Sequence, residues 1–348
     1  MSGHSISSVG LEGPGAVSVP LQALSDVIPA SGRERPWARY KAASNRLAGI
    51  LRSIGRKADF SGVDWVGLSD VVARCADVLG FEVCPGGHGK RLIRAWFCRV
   101  RLCPMCMWRR ALAMSYQVLR VAHELEARRS VRWLFVTLTV ANCSSMDLPF
   151  TLNEVFGGLR RLSHQAWFRR YVVGWFRTME ITRNRTDGTW HPHVHVLMAV
   201  RPGYFVDGYR RHELWVQDWR RAARLLYDPS VRVQSVRDLG AGVREVAKYV
   251  TKPGLVGEGT GPVSVVDEET VRVLVSVLRG RRLFGYGGEM RAIFHELLGA
   301  GATSDVEGEG ADLVHVEGSP EGCRCPVCDS PMQERVYAWM GRALGYRG

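Results

Sequence analysis

Three histidines alternate through an apolar run, His191-Pro192-His193-Val194-His195-Val196-Leu197. Side chains on a β-strand repeat every second residue, so 191, 193 and 195 point to one face. A rise of ~3.3 Å per residue puts His193 and His195 about 7 Å apart along the strand, close enough for two imidazoles to grip one ion. A lone histidine in such a run is more often a satisfied core residue. Three on one face, with a carboxylate opposite, are harder to explain as packing.

A second set is Glu245, Lys248, Tyr249 and Lys252 in Glu245-Val246-Ala247-Lys248-Tyr249-Val250-Thr251-Lys252. Glu245 and Tyr249 are four apart and share a helix face. A phenol with a pKa of ~10 is a poor nucleophile at neutral pH. Neighbouring ammonium groups and a metal-polarised phosphate make its phenolate easier to reach. Taken alone, the segment reads better as an ordinary charged amphipathic helix with a half-buried tyrosine.

The cysteines form a third set. The chain has nine. Cys84, Cys98, Cys103 and Cys106 lie within one stretch, and Cys103-Pro104-Met105-Cys106 has the short spacing that lets two thiolates reach one tetrahedral ion. We expect these four to hold structural Zn²⁺. Arg99, Arg101, Arg109 and Arg110 surround the knuckle and would give it a phosphate-binding face. Cys323, Cys325 and Cys328 lack a fourth partner; His315 could complete a second site, the three could pair with another region of the chain, or the thiols are unliganded. Cys75 and Cys143 stand apart.

The elements that must position these groups follow from hydrophobic period and turn chemistry. Residues 1–35, rich in Gly, Ser and Pro, read as a flexible tail. Two short helices are expected between Trp37 and Leu79, the second capped at Ser69-Asp70 and ended by Gly80. A long helix spans 107–129, a strand 133–140 and an amphipathic helix 151–171. A hairpin joins Gly174–Arg183 to Trp190–Val200. Asp187-Gly188 is a strong signal for a two-residue turn there. That turn puts Glu180 opposite His195 and Thr182 opposite His193; a one-residue slip would move Glu180 to the other face. On this register Glu180 is the third ligand beside His193 and His195, with His191 as the runner-up. Two imidazoles and a carboxylate with open positions suit Mg²⁺ or Mn²⁺ alongside phosphate oxygens. A helix at 210–227, a strand at 231–236, a break at Gly240-Ala241-Gly242 and a helix at 243–252 follow. The expected fold class is α+β, a central antiparallel sheet with helices packed against it and a small cysteine zinc-binding module.

The chain has 348 residues, 46% of them hydrophobic, enough for two compact units plus tails. Its net charge of +13 favours a polyanionic partner. No apolar run approaches the ~20 residues of a spanning helix. Met1–Ala30 lacks a basic start followed by an apolar core, so a cytoplasmic location is expected and nucleic acid is the better partner. Residues 301–321 hold six acidic residues and no Lys or Arg, and read as an acidic linker.

Together, Phe135–Val140, Glu180-Ile181-Thr182, His191–Leu197 and Glu245–Lys252, preceded by Phe97–Ala111, resemble the rolling-circle replication initiators of small bacterial plasmids. These belong to the HUH endonuclease superfamily. The resemblance covers residues 84–252. It implies an HUH-like fold and a metal-dependent DNA nickase and strand transferase. His193-Val194-His195 would be the HUH pair. Tyr249 would attack a phosphodiester at the origin, leaving a 5′-phosphotyrosyl link and a free 3′-OH. Glu245, one turn before it, would activate water as general base in a single-tyrosine enzyme. Lys252, and less surely Lys248, would stabilise phosphate charge. The partners implied are single-stranded or hairpin origin DNA, with a host helicase and polymerase. An HUH transposase and a non-catalytic zinc-containing DNA-binding regulator are the alternative readings. The domain organisation expected is a tail at 1–35, a helical region with the zinc module at 36–110, the nicking domain at 111–254 and a C-terminal region at 255–348.

Overall fold

A computed structural model describes residues 22–28, 32–57, 62–248, 267–298 and 324–348. Part of the expected tail is ordered into the fold. Val27–Ile28 (β1) and Arg33–Glu34 (β2) pair antiparallel. The buried Asp26 carboxylate explains why, since it accepts from Trp37 Nε1 at 2.8 Å and Arg35 Nη1 at 2.7 Å. Helix α1 (Trp37–Gly55) buries Trp37, Lys41, Ser44, Leu47, Ala48, Leu51 and Ile54, a stripe at helical spacing. Helix α2 (Trp65–Ala73) is capped by Asp64, whose carboxylate accepts from the Gly67 N–H at 2.8 Å.

The expected continuation of that second helix to Leu79 does not occur. Val78–Val83 is strand β3, paired with β4 (Lys90–Ala95) on one side. Gly80 does not end a helix. It sits in the strand where an added Cβ would lie 3.0 Å from the Arg94 Cβ. Pairing on both edges of this segment overrides its local helical pattern. Helix α3 (Pro104–Arg128) begins directly on the cysteine knuckle, with Cys103 as its N-cap and Pro104 in its first turn.

Strand β5 (Arg132–Thr139) follows. The single helix expected at 151–171 is two, α4 (Leu148–Ser163) and α5 (Ala166–Tyr171), interrupted at His164-Gln165. The hairpin is β6 (Val172–Arg183) and β7 (Trp190–Val200). Then come α6 (His212–Ala223), β8 (Val231–Val236) and α7 (Leu239–Lys248). Gly240-Ala241-Gly242 is the first turn of α7 rather than a break. Asp238 Oδ1 accepts from the Ala241 N–H at 3.1 Å. Gly242 has a packing reason, because a Cβ there would lie 2.7 Å from Val236 Cγ1 and 3.5 Å from Leu197 Cδ1. Its absence lets α7 lie close on the sheet.

The chain after 254 returns to both sheets. Helix α8 (Glu268–Leu278), strand β9 (Phe284–Gly288) and α9 (Glu289–Leu298) follow, then β10 (Gln333–Trp339) and β11 (Tyr346–Arg347). The expected acidic linker at 301–321 lies outside the described residues. The main sheet is antiparallel throughout, in the order β8-β5-β7-β6-β9. The second sheet runs β11-β10-β3-β4. The histidine-bearing strand β7 is central, paired along its length with β5 and β6. Val194, Val196, Met198 and Val200 face one side of it and are fully buried. Arg177, on that side, lies 4.4 Å over the Phe156 ring of α4. Leu197 and the histidines face the other side, where α7 sits; α3 packs behind α7 and α9. This is an α+β architecture with helices on both faces of an antiparallel sheet. Among the described residues no helix is long and apolar enough to cross a membrane.

The hairpin register differs from the expected one by two positions. Glu180 pairs with His193, Thr178 with His195 and Thr182 with His191. The connection is a six-residue loop, 184–189, closed by the Asn184 N–H to the Thr189 carbonyl at 2.8 Å. Asn184 Oδ1 accepts from the Thr186 N–H and Asp187 Oδ1 from the Thr189 N–H, each at 2.9 Å. These side-chain-to-backbone bonds make the longer loop and displace the two-residue turn. A shift of two keeps Glu180 on the histidine face.

α9 packs directly on Gly174 of β6. A Cβ there would meet the Met290 backbone N at 2.8 Å and its Cγ at 2.9 Å, and the backbone atom cannot swing aside. Gly174→Ala is expected to lower stability by about 1–3 kcal/mol. Gly49→Ala, in open space on α1, should be neutral or stabilising by up to about 1 kcal/mol. Urea unfolding of both variants checks this; equal midpoints would contradict it.

Candidate functional site

Three neighbouring strands build the site. β6 supplies Glu180, β7 supplies His193 and His195, and β5 supplies Thr137, which pairs with His195. Glu180 Oε2 lies 2.5 Å from His193 Nε2 and 3.0 Å from His195 Nε2. Glu180 and His195 are buried. His195 Nδ1 lies 3.0 Å from the Thr137 hydroxyl, and its ring stacks on Phe135 with centroids 5.7 Å apart. A hydroxyl can donate or accept, so Thr137 suits either tautomer of His195. His193 Nδ1 is buried without a hydrogen-bond partner among the described residues, leaving that ring's tautomer to follow what Nε2 binds.

Burial alone would raise the Glu180 pKa. The hydrogen bonds and charge of the two imidazoles outweigh it and hold the carboxyl at about 2. Burial pushes His195 below its ordinary value, partly offset by Glu180. The site is thus set for an ionised carboxylate and a neutral imidazole at neutral pH. His191 is also pushed down by burial, then by His193, against a hydrogen bond with the Val140 backbone. It stacks near His193 but stands outside the group whose ligand atoms converge.

The three convergent atoms fit a divalent cation. Two cis ligands at ~2.1 Å from an octahedral ion are about 3.0 Å apart, the separation of Glu180 Oε2 and His195 Nε2. The shorter approach of His193 would open by a few tenths of an ångström. Glu245, half-buried on α7, is close enough for its charge to act on His195. Lys248 closes α7, whereas Tyr249 and Lys252 lie outside the described residues.

The cysteines assemble differently from the expected set. Cys98, Cys103 and Cys106 converge with Cys75, not Cys84. Cys75 Sγ and Cys98 Sγ each lie 3.6 Å from Cys106 Sγ. Ser44 Oγ contacts Cys103 Sγ at 3.3 Å and accepts from the Met105 N–H at 3.2 Å. Fully buried Lys41 donates to the Cys75 carbonyl at 2.9 Å and pairs with Asp77 at 2.5 Å, fixing the turn that carries Cys75. Cys84 follows the end of β3 and joins a separate group with His88, Cys325 and Cys328. His315 and Cys323 lie outside the described residues. Spacing in sequence grouped Cys84 with the knuckle, but β3 and β4 carry it to the far end of their sheet. No local signal identifies Cys75, His88 or Ser44; only the fold brings them in.

The four arginines are unequal. Arg109 lies over Trp37 and Trp108, at 5.1 and 5.7 Å from the ring centroids. Arg110 Nη2 donates to the Arg99 carbonyl at 2.7 Å, bracing a backbone turn where Arg99 has φ 57°. The Arg99 side chain is exposed and Arg101 is half-buried.

The replication-protein family profile matches residues 89–325. The chain belongs to this family. It is 33% identical to a "Protein rep" of Bacillus amyloliquefaciens over 310 residues, covering 83% of this chain and 88% of that protein. It is 33% identical to a "Protein rep" of Streptococcus pneumoniae serotype 2 (strain D39 / NCTC 7466), covering 82% of this chain and 84% of the relative. A "Protein rep" of a Bacillus species is 34% identical over 64% of this chain and 78% of its own length. No solved structure matches significantly. The family match contains Glu180, His193, His195 and Glu245, and leaves Cys75, Cys84, His88 and Cys328 outside.

Thr137→Val removes the hydroxyl that contacts His195 Nδ1. It should weaken divalent-metal binding by about 10–100-fold while leaving the fold intact, read by calorimetry with Mn²⁺. Unchanged affinity would show that Thr137 does not orient the ring. The Glu180 carboxyl is held below its ordinary 4.5, so its contribution to stability is present above that value and lost as pH falls towards 2. The stability gap between wild type and Glu180→Gln, measured without metal, should be widest near neutrality and close in acid. A gap constant from pH 7 to 3 would contradict this.

Proposed function

We propose that this replication protein initiates rolling-circle replication of a plasmid in the bacterial cytoplasm. It does so by nicking the origin with a tyrosine nucleophile. The observation that carries the reading is the Glu180 carboxylate bridging His193 and His195 on the central strand, in a chain of the replication family. The cation suited to this group, Mg²⁺ or Mn²⁺, would act as Lewis acid on the scissile phosphate.

The chain's own residues account for the other requirements. Glu180, His193 and His195 present three convergent donors on a sheet that leaves them little freedom to move. Thr137 holds the His195 ring. Tyr249 is assigned as nucleophile on the resemblance. Its oxygen bonds to phosphorus as the P–O3′ bond breaks; the tyrosine proton is lost and the departing 3′ oxygen takes one up. The products are a 5′-phosphotyrosyl link and a 3′-OH for a host polymerase, with a host helicase opening the duplex. In the release step Glu245 takes a proton from water, the hydroxide attacks phosphorus, and the tyrosine oxygen leaves with a proton. General-base help of this kind supplies about 10²–10⁴ in rate. Lys252 and Lys248 would neutralise charge on the phosphate. The substrate is single-stranded or hairpin origin DNA, because a side chain must reach an exposed phosphate.

The net charge of +13 supports DNA binding, and the exposed Arg99, with half-buried Arg101 beside it, would contact phosphates. Arg109 and Arg110 contribute through the shape of that surface. Structural Zn²⁺ in the Cys75 group keeps the surface in place.

Incubation with single-stranded origin DNA and Mn²⁺ should yield a covalent adduct seen on a denaturing gel. Absence of adduct under conditions where the DNA is bound would overturn the enzymatic reading. Tyr249→Phe should abolish the adduct; persistence would reassign the nucleophile. His193→Ala should lower nicking by at least about 10²-fold. Glu245→Ala should retain nicking and slow hydrolytic release by about 10²-fold or more. Equal loss of both steps would contradict the proposed division of labour.

A further inference from the structure

Cys84, His88, Cys325 and Cys328 form a tetrad remote in sequence from the nicking residues. We propose that this tetrad is a structural zinc site that clasps the C-terminal segment to the cysteine module, and that it empties before the Cys75 site.

Three thiols and an imidazole are a donor set of structural zinc. Cys84 Sγ lies 3.5 Å from Cys328 Sγ and 3.6 Å from His88 Nδ1, and Cys325 Sγ lies 3.8 Å from His88 Nδ1. All four ligand atoms fall within 4.8 Å of one another. A tetrahedral zinc with sulfur at ~2.3 Å separates its sulfurs by about 3.8 Å. A disulfide would use two thiols and leave a third thiol and the imidazole turned inward with nothing to bind.

Each pair of ligands sits on a turn shaped for the purpose. Cys84-Pro85-Gly86-Gly87-His88 links β3 to β4. The Gly87 N–H donates to the Cys84 carbonyl and the Cys84 N–H to the Gly89 carbonyl, each at 3.0 Å. Gly87 takes φ 77°. A Cβ at Gly86 would lie 3.1 Å from His88 Cε1, so glycine leaves room for the ring. Cys325-Pro326-Val327-Cys328 repeats the Cys-Pro-x-Cys pattern of residues 103–106. Its turn is closed by the Asp329 N–H to the Cys325 carbonyl at 2.8 Å and the Cys325 N–H to the Ser330 carbonyl at 2.9 Å.

Topology brings the turns together. Gln333, which begins β10, pairs with Val83, which ends β3. The antiparallel pairing delivers Cys328 and Cys84, 244 residues apart, to one end of the sheet. An ion there closes a very long loop. The family match begins after His88 and ends at Cys325, so Cys84, His88 and Cys328 stand outside it. His88 and Cys328 are exposed, whereas Cys75, Cys103 and Cys106 are buried. A chelator therefore reaches this site first.

Native mass spectrometry of the full chain should show two zinc ions, and one in each of Cys84→Ser, Cys328→Ser and Cys75→Ser. Graded EDTA should remove one zinc early from wild type, and this early fraction should be missing from Cys328→Ser. The same step should expose residues 324–348 to limited proteolysis. Cys328→His, which keeps a zinc donor, should retain two ions and separates loss of a ligand from failure to fold. A wild-type chain with one zinc that survives Cys84→Ser and Cys328→Ser would overturn the site. So would a mass 2 Da low with no zinc at the tetrad, the mark of a disulfide. Early loss from the Cys75 group instead would overturn the order of release.

Discussion

A carboxylate buried between two imidazoles governs the half of the molecule built on the five-stranded sheet. Charge taken out of water is costly unless paired and hydrogen-bonded, and the cost falls on whichever group loses its partner. Glu180 meets that requirement only while β6 and β7 keep one register, because both its partners sit on β7. His195 in turn depends on Thr137 and Phe135 of β5. Three strands are thereby locked at one level, and α7 covers the site through the space Gly242 leaves. Rigidity of this kind suits a site that must present ligand atoms in fixed positions.

The expected register and the observed one share a face, which is why the convergence of Glu180, His193 and His195 was legible although the strand partner was not. The Asp187-Gly188 signal set the hairpin and its direction. It missed that Asn184 and Asp187 each bond the backbone two residues on, which widens the loop to six residues. Strand periodicity tolerates an error of two and not of one. The face was therefore the robust inference, and residue-to-residue pairing the fragile one. The apolar periods located β5 and β7 to within a residue, and α3 and α6 to within a few residues. They failed at Val78-Leu79, where a segment with helical pattern is paired on both edges.

The cysteines illustrate the opposite failure. Nearness in sequence suggested Cys84 with the knuckle, yet β4 intervenes and leaves the two at opposite ends of the strand pair. Cys75 joins instead because its turn is held from beneath by Lys41, a buried ammonium satisfied by backbone carbonyls and Asp77. Nothing in residues 73–77 announces such a contact, since it is made 34 residues away in α1. Ligand sets formed across elements depend on tertiary pairing, and spacing rules see only the pairs held by one turn, such as Cys103 with Cys106.

The Cys75 group also bears on the Glu180–His193–His195 group without touching it. Cys103 caps α3 and Cys106 lies in its first turn, so thiolates on a bound ion would sit at the positive end of that helix dipole. From there α3 runs 25 residues, about 37 Å at 1.5 Å per residue, as one unbroken rod. It packs along its length against α7, which carries Glu245, and α9, which seats on Gly174 of β6. An ion held at the head of α3 would therefore fix the origin of the helix that packs on α7. The distance between Glu245 and His195 is set from both sides, by the sheet beneath and by α3 above. Loosening the first turn of α3 would act on the placement of Glu245 more than on Glu180, which the strands hold by themselves.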